Sequence, residues 1–131
     1  MNILRSIAFS SFSAACALVA SGASAAEHLK FDAAAFDAAT KAGKPVLVDI
    51  AASWCPTCKA QHPIIEELTA APEYKDLIVF DVDFDTQGDV LKRFKVRVQS
   101  TLIAFKGATE TGRSVGDTRK ESISTLLKSA I

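Results

Sequence analysis

From residue 45 to 51 the apolar positions fall on both parities. Val46, Leu47, Val48, Ile50 and Ala51 follow Pro45, and Asp49 is the single break. Such a run suits a strand covered on both faces within a parallel sheet. Leu77 to Phe84 and Leu102 to Phe105 are two more strands, the latter closed by a turn at Gly107. Elsewhere the spacing is helical. Phe31, Ala35, Ala38, Ala39 and Ala42 share one face, and Gly43 stops that helix. A second helix is predicted from about Pro56 to Ala70. Pro56 suits a first position, where its missing N–H would be unpaired anyway, and Pro63 is expected to kink the interior. Asp89 to Lys95 reads as a short helix, and Gly112 to Gly116 as a short edge strand around Val115. Thr118 followed three places later by Glu121 fits a capping box. It opens a last helix with Ile123, Leu126 and Leu127 on one face. The order helix, strand, helix, strand, helix, strand, strand, helix is an α/β arrangement. Short connections and right-handed crossovers favour one central sheet with helices on both faces.

The first residues follow another pattern. Met1 to Arg5 carries one positive charge, Ser6 to Ala20 is uncharged and mostly apolar, and Ala23-Ser24-Ala25 places small residues two apart. That sequence of features is a secretory signal, with cleavage expected after Ala25 or Ala26. The apolar centre is shorter than the ~20 residues a membrane span needs. Residues 1–26 are therefore expected to be a signal peptide and residues 27–131 one domain. No repeat or linker interrupts the latter.

Processing would alter the totals. The 15 basic residues lose Arg5, leaving 14 against 15 acidic. Nucleic acid normally calls for a basic face, and this balance offers none. Of three cysteines, Cys16 leaves with the signal. Lipidation of Cys16 is disfavoured by Ser13 three places earlier and by the apolar run continuing to Ala20. Cys55 and Cys58 remain. A disulfide stabilises more when it closes a longer loop, so a two-residue gap makes a poor staple. An isolated C-x-x-C in an oxidising compartment reads better as redox chemistry.

Cysteines three apart on a helix share a face and can join and reopen. The thiolate is the attacking species. Cys55 falls at a helix start, where free N–H groups and the macrodipole favour negative charge. Cys55 is thus the expected nucleophile, and Cys58, one turn deeper, the resolving thiol. Trp54 offers an apolar rim to a protein substrate. A structural zinc site needs four ligands, and only His28 and His62 accompany the thiols, so no metal or other cofactor is expected. Asp49 reads equally as a proton acceptor for Cys58 or as a strand-end carboxylate pairing backbone groups. His62 reads as a partly exposed helix residue. Asp81, Asp83 and Asp85 read as a strand running out into a solvated loop.

The stretch Trp54-Cys55-Pro56-Thr57-Cys58-Lys59 resembles the active-site signature of the thioredoxin family. Asp49 six residues before Cys55, Pro63 five after Cys58 and Phe105-Lys106-Gly107 resemble that family's buried acid, helix-kinking proline and antiparallel strand end. The likeness covers roughly Lys44 to the C-terminus. It implies a thioredoxin fold, dithiol–disulfide exchange and, for Asp49, the proton-acceptor role. It also implies a substrate-binding loop at Gln99, Ser100 and Thr101, facing the cysteines. Two departures stand out. Ser100 occupies the place of the family's cis-proline, and Asp81 that of a lysine near the buried Asp. A non-proline cis bond costs about 2.5–4 kcal/mol, so a trans Gln99–Ser100 bond is expected. Proline at position 100 is expected to raise activity on a generic disulfide.

These readings amount to an exported, periplasmic protein disulfide oxidoreductase, reductive in direction. It would be a monomer that takes electrons from a membrane donor and passes them to exported protein disulfides. The rivals are an oxidant using the same pair and a soft-metal carrier holding Cu(I) on the two thiolates.

Overall fold

The computed structural model describes residues 24–131; the expected signal segment and Cys16 fall, but for its last residues, outside them. Five strands form one sheet in the order β1-β3-β2-β4-β5. The strands are β1 (Glu27–Lys30), β2 (Pro45–Ala51), β3 (Ile78–Asp83), β4 (Thr101–Lys106) and β5 (Thr109–Val115). Helices α1 (Ala33–Lys41), α2 (Pro56–Thr69), α3 (Gly88–Phe94) and α4 (Lys120–Lys128) cover it. Strands β1, β3 and β2 run parallel to one another, while β4 is antiparallel to both β2 and β5. No described helix is long and apolar enough to cross a membrane.

The double-parity run of β2 has the expected cause. Val46, Val48 and Ile50 join Phe31, Phe36, Phe80, Phe94, Ile103 and Phe105 on the side of α1 and α3. Leu47 joins Ile65, Val79, Leu102, Ile123 and Leu127 on the side of α2 and α4. Asp49 shares the parity of Leu47 and therefore faces α2. Helix α1 starts at Asp32, whose Oδ1 accepts the N–H of Ala35 at 2.8 Å. Helix α2 continues through Pro63 to Thr69.

Three elements differ from expectation. Strand β1 carries one half-buried apolar residue, Leu29, and is held by main-chain pairing with β3 from Glu27↔Ile78 to Lys30↔Asp81. Pairing of that kind leaves no hydrophobic pattern to read. Strand β5 begins at Thr109 because it forms a hairpin with β4, and residues 109–115 are mostly exposed, as an edge strand allows. The capping box at Thr118 does not form. Helix α4 is preceded by Arg119 without a side-chain cap, and Asp117 takes the Arg119 N–H at 3.0 Å instead. Asp117 also accepts from the Arg119 guanidinium and from the Ser122 hydroxyl. This network holds its carboxyl well below the usual range, chiefly through Arg119.

Candidate active site

The central strand β2 ends at Ala51, and the next residues carry the chain from its C-terminal end into α2. Cys55 is the N-cap of that helix, in extended backbone, and Pro56 occupies the first turn. The Cys58 N–H donates to Cys55 Sγ at 3.1 Å, so the sulfur takes the place of a capping oxygen. The two cysteines are disulfide-bonded, with Cα atoms 5.3 Å apart. Both are buried, Cys55 at 1% exposure, against Ala52 with Ala51 and Phe84 alongside. Trp54 is 54% exposed beside them, and its Nε1–H donates to Asp85 at 2.9 Å. Asp85 thus orients the tryptophan, a tie that spacing alone does not reveal.

Asp49 lies under this site. It lines a cleft of about 490 Å³ shared with Cys58, Lys59, His62, Asp81 and Lys30. Across the sheet Asp49 pairs in register with Asp81, and Asp81 with Lys30. Burial pushes the Asp49 carboxyl up to about 7; the Asp81 charge adds to the rise and His62 opposes it. Asp81 is itself raised, mainly by partial desolvation, with His28 and His62 opposing. Among the described residues no hydrogen bond reaches the Asp49 carboxylate. His62 is exposed and pairs with Glu66 at 3.0 Å. Among the described residues no cluster of three metal-ligating side chains occurs.

The loop before β4 closes the other side. No described peptide bond is cis, so Gln99–Ser100 is trans. Ser100 is buried and left-handed, at φ +57°. Its Oγ–H donates to the Gln99 carbonyl, and the Thr101 hydroxyl donates to the Val98 carbonyl at 2.6 Å. In register, Thr101 pairs with Ile50, which sets Ser100 beside the end of β2 where the cysteine segment departs. The expectation for proline at position 100 now changes. Proline requires φ near −65°, which this backbone does not offer. One residue escaped the sequence reading. Gln61, three after Cys58, is buried and donates to the Ser100 and Asp117 carbonyls. A polar side chain on the inward face of an amphipathic helix was its only signal.

A parallel–antiparallel sheet with a helix-capping C-x-x-C over a buried carboxylate defines a protein disulfide oxidoreductase of the thioredoxin fold. Comparison with known proteins agrees. The thioredoxin family profile matches residues 27–129. Thioredoxin H-type of Brassica campestris is 35% identical over 91 residues, 70% of this chain and 72% of that protein. Thioredoxin of Mycobacterium bovis is 40% identical over 80 residues, 61% of this chain and 68% of that protein. The solved structure of Trxlp from Edwardsiella tarda EIB202 superposes with a TM-score of 0.75 at 44% identity, over 77% of this chain and 98% of that one. The chain belongs to the thioredoxin family, and its Cys55–Cys58 pair is that of a thiol–disulfide oxidoreductase.

Proposed function

We infer that the protein is a periplasmic reductase of exported protein disulfides. The observation that carries the chemistry is Cys55 at the N-cap of α2, its sulfur accepting the Cys58 N–H. In the reduced protein that N–H and the helix terminus favour a thiolate on Cys55. The thiolate attacks one sulfur of a substrate disulfide, and the other sulfur leaves as thiolate. Cys58 then gives its proton to Asp49, and its sulfur attacks Cys55 Sγ, which frees the substrate dithiol. Two electrons pass to the substrate, and the pair ends as a disulfide. Asp49 suits proton uptake because burial has brought its carboxyl to about 7. Restoring the dithiol needs a donor thiol pair, which for an exported protein would be carried by the membrane. Export rests on the sequence features of residues 1–26, and the reductive direction on Pro56-Thr57, which adds no charge between the cysteines. The working form is taken to be a monomer.

Two measurements test this. Cys58→Ser protein should trap a mixed disulfide with substrate, while Cys55→Ser protein should form none. If Cys58→Ser attacks no faster than the double variant, the roles are wrong. Thioredoxin-fold proteins themselves span reduction potentials from about −270 mV in reductants to about −120 mV in strong oxidants. A titration placing this pair near the upper end would make it an oxidant.

A further inference from the structure

Besides the thiols, helix α2 buries two polar side chains, Gln61 and Thr69, and the Thr69 hydroxyl donates back to its own helix at the Ile65 carbonyl, 2.7 Å away. Gln61 lies one turn beyond Cys58 on the same face and is only 1% exposed. Its Nε2 donates to the Ser100 carbonyl at 3.2 Å and to the Asp117 carbonyl at 2.9 Å. Its Oε1 has no partner among the described residues. The amide cannot be turned over, since that would set Oε1 against two carbonyl oxygens. The Ser100 carbonyl also accepts the Gly116 N–H at 2.9 Å. A single side chain therefore joins the helix of the thiols, the loop before β4 and the connection between β5 and α4.

That loop needs holding. Ser100 sits in the left-handed region, which an L residue tends to leave, and strained backbone persists only where its surroundings over-determine it. The Ser100 and Thr101 hydroxyls bond only within the loop. The Gly116 bond ties the loop to the far side of the sheet from β2. Gln61 alone among these ties it to α2.

The geometry points to Gln61 as the positioning residue of the substrate-facing loop: it fixes the Ser100 carbonyl, and with it the Gln99–Ser100 peptide, relative to the Cys55–Cys58 helix. This rests on the reading that the loop at Gln99 to Thr101 receives the substrate chain. A polypeptide disulfide must lie along that loop to reach Cys55, whereas a small aromatic disulfide needs only the thiolate. Gln61 therefore governs the preference for polypeptide over small disulfides.

The test compares the full-length exported protein with Gln61→Met, which keeps the volume without donors, and Gln61→Glu, which turns oxygen toward two carbonyls. Turnover is measured on insulin and on a small aromatic disulfide. The ratio of kcat/KM on insulin to that on the small disulfide should fall about tenfold in Gln61→Met and further in Gln61→Glu. The fall should lie in KM. Equal losses on both substrates, or an unchanged ratio, would overturn the proposal. If the unaltered protein turned over neither substrate, the function proposed above would fail first. A measurement without Gln61 variants guards against misfolding. In Cys58→Ser protein the Gln61 side-chain amide protons should exchange slowly and shift when a cysteine peptide is coupled to Cys55. Exchange at the rate of a free amide, or no shift on coupling, would also overturn it.

Discussion

Asp49 is the residue on which the fold acts most strongly. Its carboxyl is buried against α2 beside Asp81, and its pKa stands at about 7 rather than 3.8. Because the folded value is raised, the native state holds more protons than the unfolded chain between these values. Stability is therefore full below about pH 4 and falls as pH rises toward 7. Asp49→Asn should remove that slope, with a gain of about 2–4 kcal/mol at pH 8 and little at pH 4. Denaturant melts across pH check this, and parallel slopes in both proteins would refute it. The same variant should slow release of the mixed disulfide more than its formation, as read by stopped flow. Ser100 gives the second prediction at this scale. Glycine adopts its left-handed backbone freely, so Ser100→Gly should keep the midpoint of unfolding or raise it, the lost hydroxyl bond offsetting part of the gain. Ser100→Pro should lower stability by more than about 1 kcal/mol, because proline does not fit that φ. Its activity on insulin should fall, and turnover equal to or above that of the unaltered protein would refute this.

The start of α4 shows how a local motif can lose to its neighbours. Thr118 and Glu121 have the right spacing for a capping box, yet Asp117 reaches the Arg119 N–H first. Asp117 is placed to do so because its own carbonyl is tied to Gln61 across the molecule. Asp117→Ala should therefore lower the melting temperature at neutral pH, and Thr118→Ala should leave it nearly unmoved. The folded carboxyl is depressed by Arg119, so its contribution is present above the ordinary aspartate pKa and is lost as pH falls below it. The gap between wild type and Asp117→Ala should close on acidification. A gap that persists in acid would assign the effect to the backbone instead.

At the scale of the molecule, the sheet separates two cores. On one side five phenylalanines, Phe31, Phe36, Phe80, Phe94 and Phe105, meet mostly edge to face, and Phe36 contacts the other four at 5.2–5.9 Å between centroids. Phe36→Ala should cost about 3–5 kcal/mol, a large part of the about 5–15 kcal/mol that domains hold in total. Equilibrium denaturation checks this, and a loss below about 1 kcal/mol would mean that the cluster collapses onto the gap. The cysteines lie on the other side with α2, so the redox site should keep its geometry until global unfolding. For an exported chain, the mass of the mature protein should show cleavage after Ala25 or Ala26. The Ala26 nitrogen donates to the Thr69 carbonyl at 3.0 Å, tying the start of β1 to the end of α2.

Pattern alone determined the central strands, the four helices and the pair Cys55–Cys58, because each rests on local causes. These are apolar parity in β2, β3 and β4, 3.6-residue spacing in the helices, and cysteines one turn apart at a helix start. The place of Asp49 also followed, since a lone carboxylate in a doubly covered strand must be buried. What required the tertiary structure rests on contacts between distant residues. Strand β1 exists through main-chain bonds to β3 and bears no hydrophobic signature; β5 was legible around Val115, but its start at Thr109 is set by the hairpin with β4. The resemblance implied that Asp81 lies near Asp49, and strand register realises it; the tie from Trp54 to Asp85 spans 31 residues and was not implied. Ser100 announced the loss of a proline ring. Its left-handed backbone became visible only in the fold, together with Gln61, 39 residues earlier, holding its carbonyl. A hydrogen bond between side chain and distant backbone leaves no period in the chain, and that is why the loop beside the thiols was the least legible part of the site.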